Sequence, residues 1–270
     1  MDCTEDLVFD VGAHRGEDSD FYLKMGYRVV AVEANPVLVQ GLKERFADEI
    51  RNGTLTLVDK AIGENDGQIT FYVNKQLSIW GTANPDWVAR NRGLGTDSEE
   101  ITVPCTRFGE LITRFGCPYY VKIDIEGADM LCVRGLAEAR QRPRYISIES
   151  AKTSWRGLLK EFNALERLGY DRFQIVDQRT HGSGSFRDRS GARLEHSFAE
   201  GSSGPFGEAL TGQWLTRSQA IRRYIPIFLL YYTLGDNRVW LPKLAKRVPF
   251  LRRLQNKVSW YDTHATRSVT

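Results

Sequence analysis

The hydrophobic positions of this chain form short, continuous runs separated by glycines and by segments with helical spacing. The first two runs, LVF at residues 7–9 and VVAV at residues 29–32, are typical of strands buried on both faces of a parallel sheet. Parallel strands need a crossover, and the apolar positions between these runs predict a helix that ends at Gly26. Later runs predict four more strands, at residues 54–58, 119–123, 144–149 and 173–176. Six strands that alternate with helices predict an α/β fold with one doubly wound, mostly parallel sheet.

A glycine turn joins the first predicted strand to its helix, in the sequence FDVGAHRGE of residues 9–17. Gly12 and Gly16 let the backbone turn tightly into a helix, and the free N–H groups and positive dipole end of that helix favour a carboxylate or phosphate. Glu33 follows twenty-one positions after Gly12, near the end of the second strand, where an acid commonly binds the hydroxyl pair of a ribose. This stretch therefore predicts a nucleotide-type ligand site.

The glycine spacing does not fit a dinucleotide. In a G-x-G-x-x-G turn the second glycine lets the backbone approach a pyrophosphate. This chain has His14 at that position and Glu17 three positions later, and the ring and the carboxylate would crowd the diphosphate. Asp10, just before the turn, places negative charge near the ligand, which suits a cofactor with a cationic sulfonium and an ammonium group beside its carboxylate. S-adenosylmethionine meets these requirements, and a nicotinamide-dependent oxidoreductase is the disfavoured alternative.

A second block, YYVKIDIEGAD at residues 119–129, indicates a strand that ends in acids and passes into a helix. The ligand crevice of an open α/β sheet lies at the carboxyl ends of the strands. Asp124 and Glu126 are therefore expected at the crevice or on its rim.

Together these blocks resemble the FkbM family of S-adenosylmethionine-dependent methyltransferases over residues 6–178. The resemblance rests on DVGAHRG at residues 10–16, on Glu33 and on KIDIEGAD at residues 122–129, with Asp129 where many relatives have Glu. It implies a Rossmann-like sheet of the class I methyltransferase type, S-adenosylmethionine as the cofactor, and methylation of a hydroxyl on a sugar, glycan or other secondary metabolite.

The residues expected to hold the cofactor lie on the first turn and at the ends of the second and third strands: Asp10, Gly12, Ala13, His14, Gly16, Glu33, Ala34, Asp59 and Lys60. The third strand end lies near the adenine in methyltransferases of this fold. Asp59 or the backbone around Lys60 could therefore hydrogen-bond the base, and a solvated charged pair is the alternative reading of these two residues.

Methyl transfer from a sulfonium is an in-line displacement, and a hydroxyl acceptor must also lose its proton. The candidate catalytic residues are Asp124, Glu126 and Glu149, with Asp124 as the first candidate for the base, although Asp124 could contact the cofactor instead. Asp124, Glu126 and Asp129 could also hold a divalent cation, but acids at a helix start more commonly cap free N–H groups, so no metal is predicted. His14 is the best placed of the four histidines and could touch the methionine part of the cofactor.

Two segments between these blocks, and one segment after them, carry further expectations. Residues 68–73 predict an added strand after an N-D-G turn, and residues 77–98 predict a long loop over the crevice. Residues 181–207 are rich in glycine and serine, which indicates either a flexible linker or a mobile lid or acceptor loop.

The charge of the chain is concentrated towards its C-terminal end. Residues 217–257 hold ten basic side chains against one acid, although the formal net charge is only +3. We therefore predict a methyltransferase domain at residues 1–216 and a basic helical appendage at residues 217–270. Residues 225–234 are too short an apolar run to span a membrane, and residues 241–258 interleave apolar and basic positions. This appendage could lie on an anionic membrane or pack on the sheet or a second subunit, and no nucleic acid is expected because no binding motif accompanies the charge.

The composition fits a soluble enzyme, with 270 residues of which 41% are hydrophobic and 26% charged. Cys3, Cys105, Cys117 and Cys132 show no C-x-x-C spacing, and the N-terminus has no apolar signal region. These features predict reduced thiols and a cytoplasmic location. Beside the methyltransferase and the oxidoreductase, a non-catalytic adaptor that binds through its basic tail is the third interpretation.

Overall fold

The computed structural model describes residues 3–151, 154–199, 201–234 and 259–268. Its strands are β1 (Thr4–Val11), β2 (Arg28–Val32), β3 (Leu55–Val58), β4 (Ala61–Ile62), β5 (Gly67–Asn74), β6 (Ser98–Thr106), β7 (Pro118–Ile123), β8 (Tyr145–Glu149), β9 (Arg172–Asp177), β10 (Ser183–Arg187), β11 (Arg193–Ser197) and β12 (Tyr261–Thr266). Its α-helices are α1 (Glu17–Lys24), α2 (Pro36–Arg45), α3 (Ala47–Asn52), α4 (Pro85–Gly93), α5 (Phe108–Phe115), α6 (Asp129–Glu138), α7 (Trp155–Arg167) and α8 (Arg217–Leu234).

Seven strands form the central sheet in the order β3-β2-β1-β7-β8-β12-β9, and β12 is antiparallel to both of its neighbours. The strand pairs from β3 to β8 are all parallel. The chain runs outward from β1 to β3 and then returns to β7 on the other side of β1, so the strand order reverses between β1 and β7. The carboxyl ends of these two strands therefore flank the crevice in which such sheets bind ligands. The predicted doubly wound, mostly parallel sheet is confirmed.

The side chains of β1 alternate between two apolar layers, one on each face of the sheet. Leu7, Phe9 and Val11 pack in the layer that contains buried residues of α5, α6 and α7. Val8 packs in the other layer, with Phe21 of α1. Burial on both faces explains why β1 reads as a continuous apolar run, and the two layers hold the end of β1 rigidly at the crevice.

The strands β4, β5 and β6 form a separate, three-stranded sheet in the order β4-β6-β5. The strand predicted at residues 68–73 is confirmed as β5, but it pairs antiparallel with β6 rather than joining the main sheet. The sequence did not predict β6, because SEEITVPCT contains a proline and begins with polar, largely exposed positions. The predicted loop at residues 77–98 contains a 3₁₀ turn at Ser78–Trp80 and helix α4.

Residues 181–207 are not the flexible linker that their composition suggested. β10 and β11 pair as an antiparallel hairpin. Phe186 and Phe198 pack edge-on against Phe21 of α1, with ring centroids 5.0 and 4.8 Å apart. Aromatic packing therefore holds this segment against α1 in spite of its glycines, and Gly201 reaches the pocket described below.

The predicted boundary between a domain of residues 1–216 and an appendage of residues 217–270 is not a boundary of the fold. α8 packs on the main apolar layer through Ala220 and Tyr224, and β12 fills the place between β8 and β9. The sequence did not reveal β12, because YDTHAT carries polar side chains that are buried in the structure. The helix predicted at residues 241–258 lies outside the described residues, as does most of the basic stretch. Within the described ranges, no helix is long and apolar enough to cross a membrane.

A disulfide joins Cys3, which precedes β1, to Cys117, which precedes β7. The prediction of reduced thiols is therefore wrong for this pair. It failed because the two cysteines lie 114 positions apart and become neighbours only through the parallel pairing of β1 with β7. Cys105 and Cys132 are free and buried.

Candidate active site

A pocket opens at the carboxyl ends of β1, β2, β7 and β8, with about 1220 Å³ of empty space including its open mouth. Its lining combines strand-end residues with residues from the loops above them: Gly12, Ala13, His14, Glu17, Asp18, Glu33, Ala34, Leu38, Lys60, Ile62, Phe71, Ser78, Trp80, Lys122, Asp124, Glu126, Glu149, Gln178, Gly201 and Trp260. Nine of the twelve residues predicted to form the site line this pocket. The three that do not are Asp10, Gly16 and Asp59.

The turn after β1 brings the backbone against the end of β7. Gly12 has φ +85°, and a Cβ there would lie 1.8 Å from the backbone oxygen of Asp124. Gly16 also has a positive φ, and a Cβ there would overlap the ring of Phe46, so this glycine shapes the start of α1 from behind the pocket. Both glycines are therefore required by backbone conformation and by space.

Glu33 organises the same turn through its carboxylate. One oxygen accepts the backbone N–H of His14 at 2.9 Å, and the other accepts the N–H groups of Ala34 and Asn35 at 2.9 and 2.8 Å. Burial raises the pKa of Glu33 above its ordinary value, although these hydrogen bonds oppose the shift. A carboxylate has about four acceptor positions, so one remains for a donor in the pocket that Glu33 lines.

A buried cluster of Lys122, Asp10 and Asp18 forms the floor. The Nζ of Lys122 lies 3.1 Å from Oδ1 of Asp10 and 3.5 Å from Oδ2 of Asp18, and it donates a hydrogen bond to the carbonyl of Gly12 at 2.9 Å. Ser19 donates to the second oxygen of Asp10 at 2.6 Å. Burial acts to lower the pKa of Lys122, but the two carboxylates outweigh it and raise that pKa well above its ordinary value.

Asp10 is thus placed differently from the prediction. It is fully buried and does not line the pocket, because Lys122 covers it. Asp18, which the sequence did not single out, lines the pocket instead, and burial raises its pKa to about 6. The N–H groups of Ser203 and Gly204 donate to the Asp18 carboxylate at 3.0 and 3.2 Å, which ties the glycine- and serine-rich segment to the pocket floor.

The two site residues predicted at the end of β3, Asp59 and Lys60, lie in different surroundings. Lys60 lines the pocket. The Asp59 side chain is 60% exposed and lies 3.5 Å from the Nζ of Lys43. The alternative of a solvated pair is the one that the structure bears out for Asp59.

His14 links the first turn to the loop above it. Its ring lies 2.9 Å from the hydroxyl of Ser78 through Nε2 and 3.4 Å from the carboxylate of Glu17 through Nδ1. His14 has φ +50°, a left-handed backbone that side chains rarely adopt. Its ring is thereby held on the pocket wall.

Three carboxylates meet in the same pocket: Asp124 and Glu126 after β7, and Glu149 at the end of β8. One oxygen of each lies within 4.8 Å of the others. Burial raises the pKa of Glu126 well above its ordinary value, and the charges of Glu149 and Asp124 add to the shift. The Glu126 carbonyl accepts the hydroxyl of Thr82 at 2.7 Å, which fixes the loop that carries it.

Asp129 caps this loop instead of joining the cluster. Its two oxygens accept the backbone N–H groups of Ile125 and Gly127, each at 3.2 Å. Burial raises the pKa of Asp129 to about 7, with the charges of Glu149 and Asp124 adding to it. The capping alternative for an acid at a helix start therefore holds for Asp129.

Aromatic residues form a wall that sequence reasoning missed. Trp80 and Trp260 line the pocket, and the guanidinium of Arg90 lies between indoles, 5.6 Å from the Trp80 ring, 4.5 Å from Trp87 and 5.5 Å from Trp260. Trp80 had a signal, since it stands in the loop predicted over the crevice. Trp260 had none, because it reaches the pocket only through the pairing of β12.

The family model of the Methyltransferase FkbM domain matches residues 10–172 of this chain. The chain belongs to the FkbM methyltransferase family. Its FkbM domain therefore makes it an S-adenosylmethionine-dependent methyltransferase, which sets aside the nicotinamide-dependent oxidoreductase. The FkbM match begins at Asp10 near the end of β1 and ends at the start of β9, so Gln178, Gly201 and Trp260 come from beyond it.

Other relatives of this FkbM protein are distant. A segment of 58 residues is 36% identical to the probable ribosomal RNA small subunit methyltransferase A of Methanospirillum hungatei, and it spans 22% of this chain and 23% of that protein. The solved precorrin-6y C5,15-methyltransferase of Geobacter metallireducens is 13% identical, with 72% of this chain and 77% of that chain covered and a TM-score of 0.37. Fibrillarin of Aeropyrum pernix, solved with S-adenosylmethionine, is also 13% identical, with 65% of this chain and 61% of that chain covered and a TM-score of 0.35.

Proposed function

We propose that this FkbM family member is an O-methyltransferase whose acceptor is a hydroxyl of a sugar, glycan or other small hydroxylated metabolite. The observation that carries the proposal is the cluster of Asp124, Glu126 and Glu149 in the same pocket as the Gly12 turn and Glu33. The same pocket thus offers groups suited to the cofactor and acceptors for a hydroxyl proton.

The residues present fit S-adenosylmethionine. Glu33 accepts three backbone hydrogen bonds and so keeps one of its roughly four acceptor positions for a ribose hydroxyl. Asp18 and Lys122 put both signs of charge on the floor, which suits a ligand that carries an ammonium and a carboxylate. Ile62 and Phe71 provide apolar lining for a base.

The acceptor side fits a ring that has hydroxyls on its edge. Trp80 and Trp260 offer flat indole faces, against which the C–H face of a sugar can lie. The three carboxylates accept hydrogen bonds from hydroxyls, and Asp124 is the candidate to take the proton of the attacking one.

The bound cofactor supplies a methyl group on a cationic sulfonium. The protein has to hold the acceptor oxygen in line with that methyl carbon and exclude water. The segment tied to Asp18 and the 3₁₀ turn at Ser78–Trp80 both cover the pocket. These two segments are therefore placed to hold the acceptor and to exclude water.

Calorimetric titration and a labelled-methyl assay test the proposal. We expect micromolar binding of S-adenosylmethionine, at least tenfold weaker binding by Glu33→Gln, and unchanged binding by Glu64→Gln, whose exposed side chain pairs with Arg134. With a panel of sugars and hydroxylated metabolites, label should appear in ethers that survive alkali. Transfer only to nitrogen or carbon, or no cofactor binding, would overturn the proposal.

Asp124→Asn separates the two roles considered for Asp124. If Asp124 takes the proton, methyl transfer falls about 100-fold or more while cofactor affinity changes little. If Asp124 holds the cofactor, the affinity falls and the rate at saturating cofactor is largely kept. Glu64→Gln is again the matched control.

A further inference from the structure

We propose that Asp124, Glu126 and Glu149 form a binding site for a hard divalent cation such as Mg²⁺ or Mn²⁺. The site itself stands on the geometry of these carboxylates. Only the role given to the ion below rests on the proposed O-methyltransferase function.

The spacing of the three side chains suits such an ion. One oxygen from each carboxylate lies within 4.8 Å of the other two. Neighbouring ligands around Mg²⁺ are roughly 3 Å apart and opposite ones roughly 4 Å apart, from bond lengths of about 2.1 Å, so the three oxygens have to close by up to about 2 Å. Side-chain rotations are enough to bring all three oxygens onto one ion, and the pocket leaves room for water or an acceptor on its remaining positions.

A second observation concerns Glu126 alone. This residue is only 8% exposed, and its Oε2 is a buried atom without a hydrogen-bond partner among the described residues. An unpartnered carboxylate oxygen away from water is costly, and proteins satisfy it with donors or with a metal. Because Glu126 lines the pocket beside the other two acids, an ion there would satisfy this oxygen.

Two cations act on the cluster from beyond contact distance: Arg90 opposes the rise in the pKa of Glu126, and the charge of Asp124 adds to the raised pKa of Lys122. Lys122 is held by Asp10 and Asp18. Arg90 is stacked over the Trp87 ring. In the described part of the chain, neither cation forms a salt bridge with Asp124 or Glu126, so the protein does not itself neutralise these two carboxylates at contact distance.

An ion at this position would act on the acceptor. A hydroxyl bound to a divalent cation has a lowered pKa. Because Asp124 would then be a ligand of the ion and not the base, the hydroxyl proton passes to solvent. The oxygen lone pair then forms the bond to the methyl carbon as the carbon–sulfur bond breaks. The pair of that broken bond stays on sulfur, so the products are a methyl ether and neutral S-adenosylhomocysteine.

Titration with Mn²⁺ alone tests the site without any need for activity. The full chain is first freed of metal with EDTA, and free Mn²⁺ is then followed by its electron paramagnetic resonance signal. We expect one bound Mn²⁺ per chain, and at least tenfold weaker binding by Glu126→Gln and by Glu149→Gln. Glu64→Gln is the control and should bind as the wild type does. No Mn²⁺ binding by the wild type at millimolar concentration, or equal binding by both cluster variants, overturns the site.

A fluorescence measurement locates the ion independently of those variants. Mn²⁺ quenches nearby indoles, and Trp80 lines the same pocket as the cluster. We expect saturable quenching with the same midpoint as the resonance titration, and less quenching in Trp80→Phe. Quenching that does not saturate, or that is identical in Trp80→Phe, places the ion elsewhere.

Mn²⁺ binding and ether formation can be lost separately, and each loss has its own meaning. Ether formation that proceeds equally in EDTA, with no Mn²⁺ binding, overturns the metal site and leaves the O-methyltransferase standing. Mn²⁺ binding that is lost in the cluster variants, without ether formation from any hydroxyl acceptor, supports the site and overturns the O-methyltransferase. Cofactor titrations in EDTA show that each variant keeps its pocket.

Discussion

Replacing Lys122 by methionine removes the cation from the pocket floor while keeping the length of the side chain. Asp10 and Asp18 would then be left buried with no cation beside them, since Lys122 Nζ is within 3.5 Å of both. Breaking a buried ion pair by removing one partner typically costs about 3–5 kcal/mol. At about 2–4 °C per kcal/mol for a protein of this size class, the melting temperature should fall by roughly 6–20 °C.

The loss should depend on pH in a defined direction. The folded pKa of Asp18 is about 6, above its ordinary value of 3.8, so the folded protein binds this proton more tightly than the unfolded chain does. Stability linked to Asp18 is therefore lowest above pH 6 and is regained as the pH falls from about 6 towards 4. In Lys122→Met the pKa of Asp18 rises further, because the lysine acts to lower it. The deficit of the variant should shrink between pH 7.5 and pH 5.

Urea unfolding, followed by fluorescence and circular dichroism at both pH values, measures this deficit. Lys43→Met is the matched control, because Lys43 pairs with the exposed Asp59, and an exposed pair contributes at most about 1 kcal/mol. A loss below about 1 kcal/mol for Lys122→Met at pH 7.5, or the same loss at pH 5, would refute the reasoning.

Three further predictions concern other parts of the molecule. Gly12→Ala should abolish measurable cofactor binding in calorimetry, because its Cβ would lie 1.8 Å from a backbone oxygen at φ +85°; binding within threefold of the wild type would contradict this. Asp59→Asn should leave cofactor affinity within about twofold, since this carboxylate is 60% exposed and outside the pocket; a tenfold loss would return it to the site. Dithiothreitol should lower the free energy of unfolding by up to about 4 kcal/mol, because the Cys3–Cys117 disulfide closes a separation of 114 residues; Cys3→Ser, already without the bond, should not respond to the reductant.

The sequence predicts best where function and backbone geometry demand particular residues. Gly12 and Glu33 could be placed because tight turns and strand ends leave few alternatives. Asp59 satisfied the same strand-end rule, but its side chain turns to solvent and Lys43, a choice that no periodicity encodes. The central sheet followed from apolar runs, since strands buried on both faces have little freedom of composition.

The missed features depend on contacts between distant segments. β12 carries the buried polar side chains of Thr263 and His264. The Thr263 hydroxyl is within 2.8 Å of those of Ser150 and Tyr224. Those partners satisfy the Thr263 hydroxyl in the interior, and the strand in turn brings Trp260 to the pocket. A single sequence does not show which distant residues become such partners, so the pocket wall that contains Trp260 could not be predicted.

The late position of β12 in the chain has a consequence for synthesis on the ribosome. β8 and β9 leave the ribosome well before the strand that pairs with both of them. At ordinary rates of about 5–20 residues per second, this delay lasts roughly 5 to 20 seconds. During that time each strand presents an unpaired edge of the kind that recruits other strands or chaperones. The nascent chain also lacks Trp260, so the complete pocket exists only after β12 has taken its place between β8 and β9.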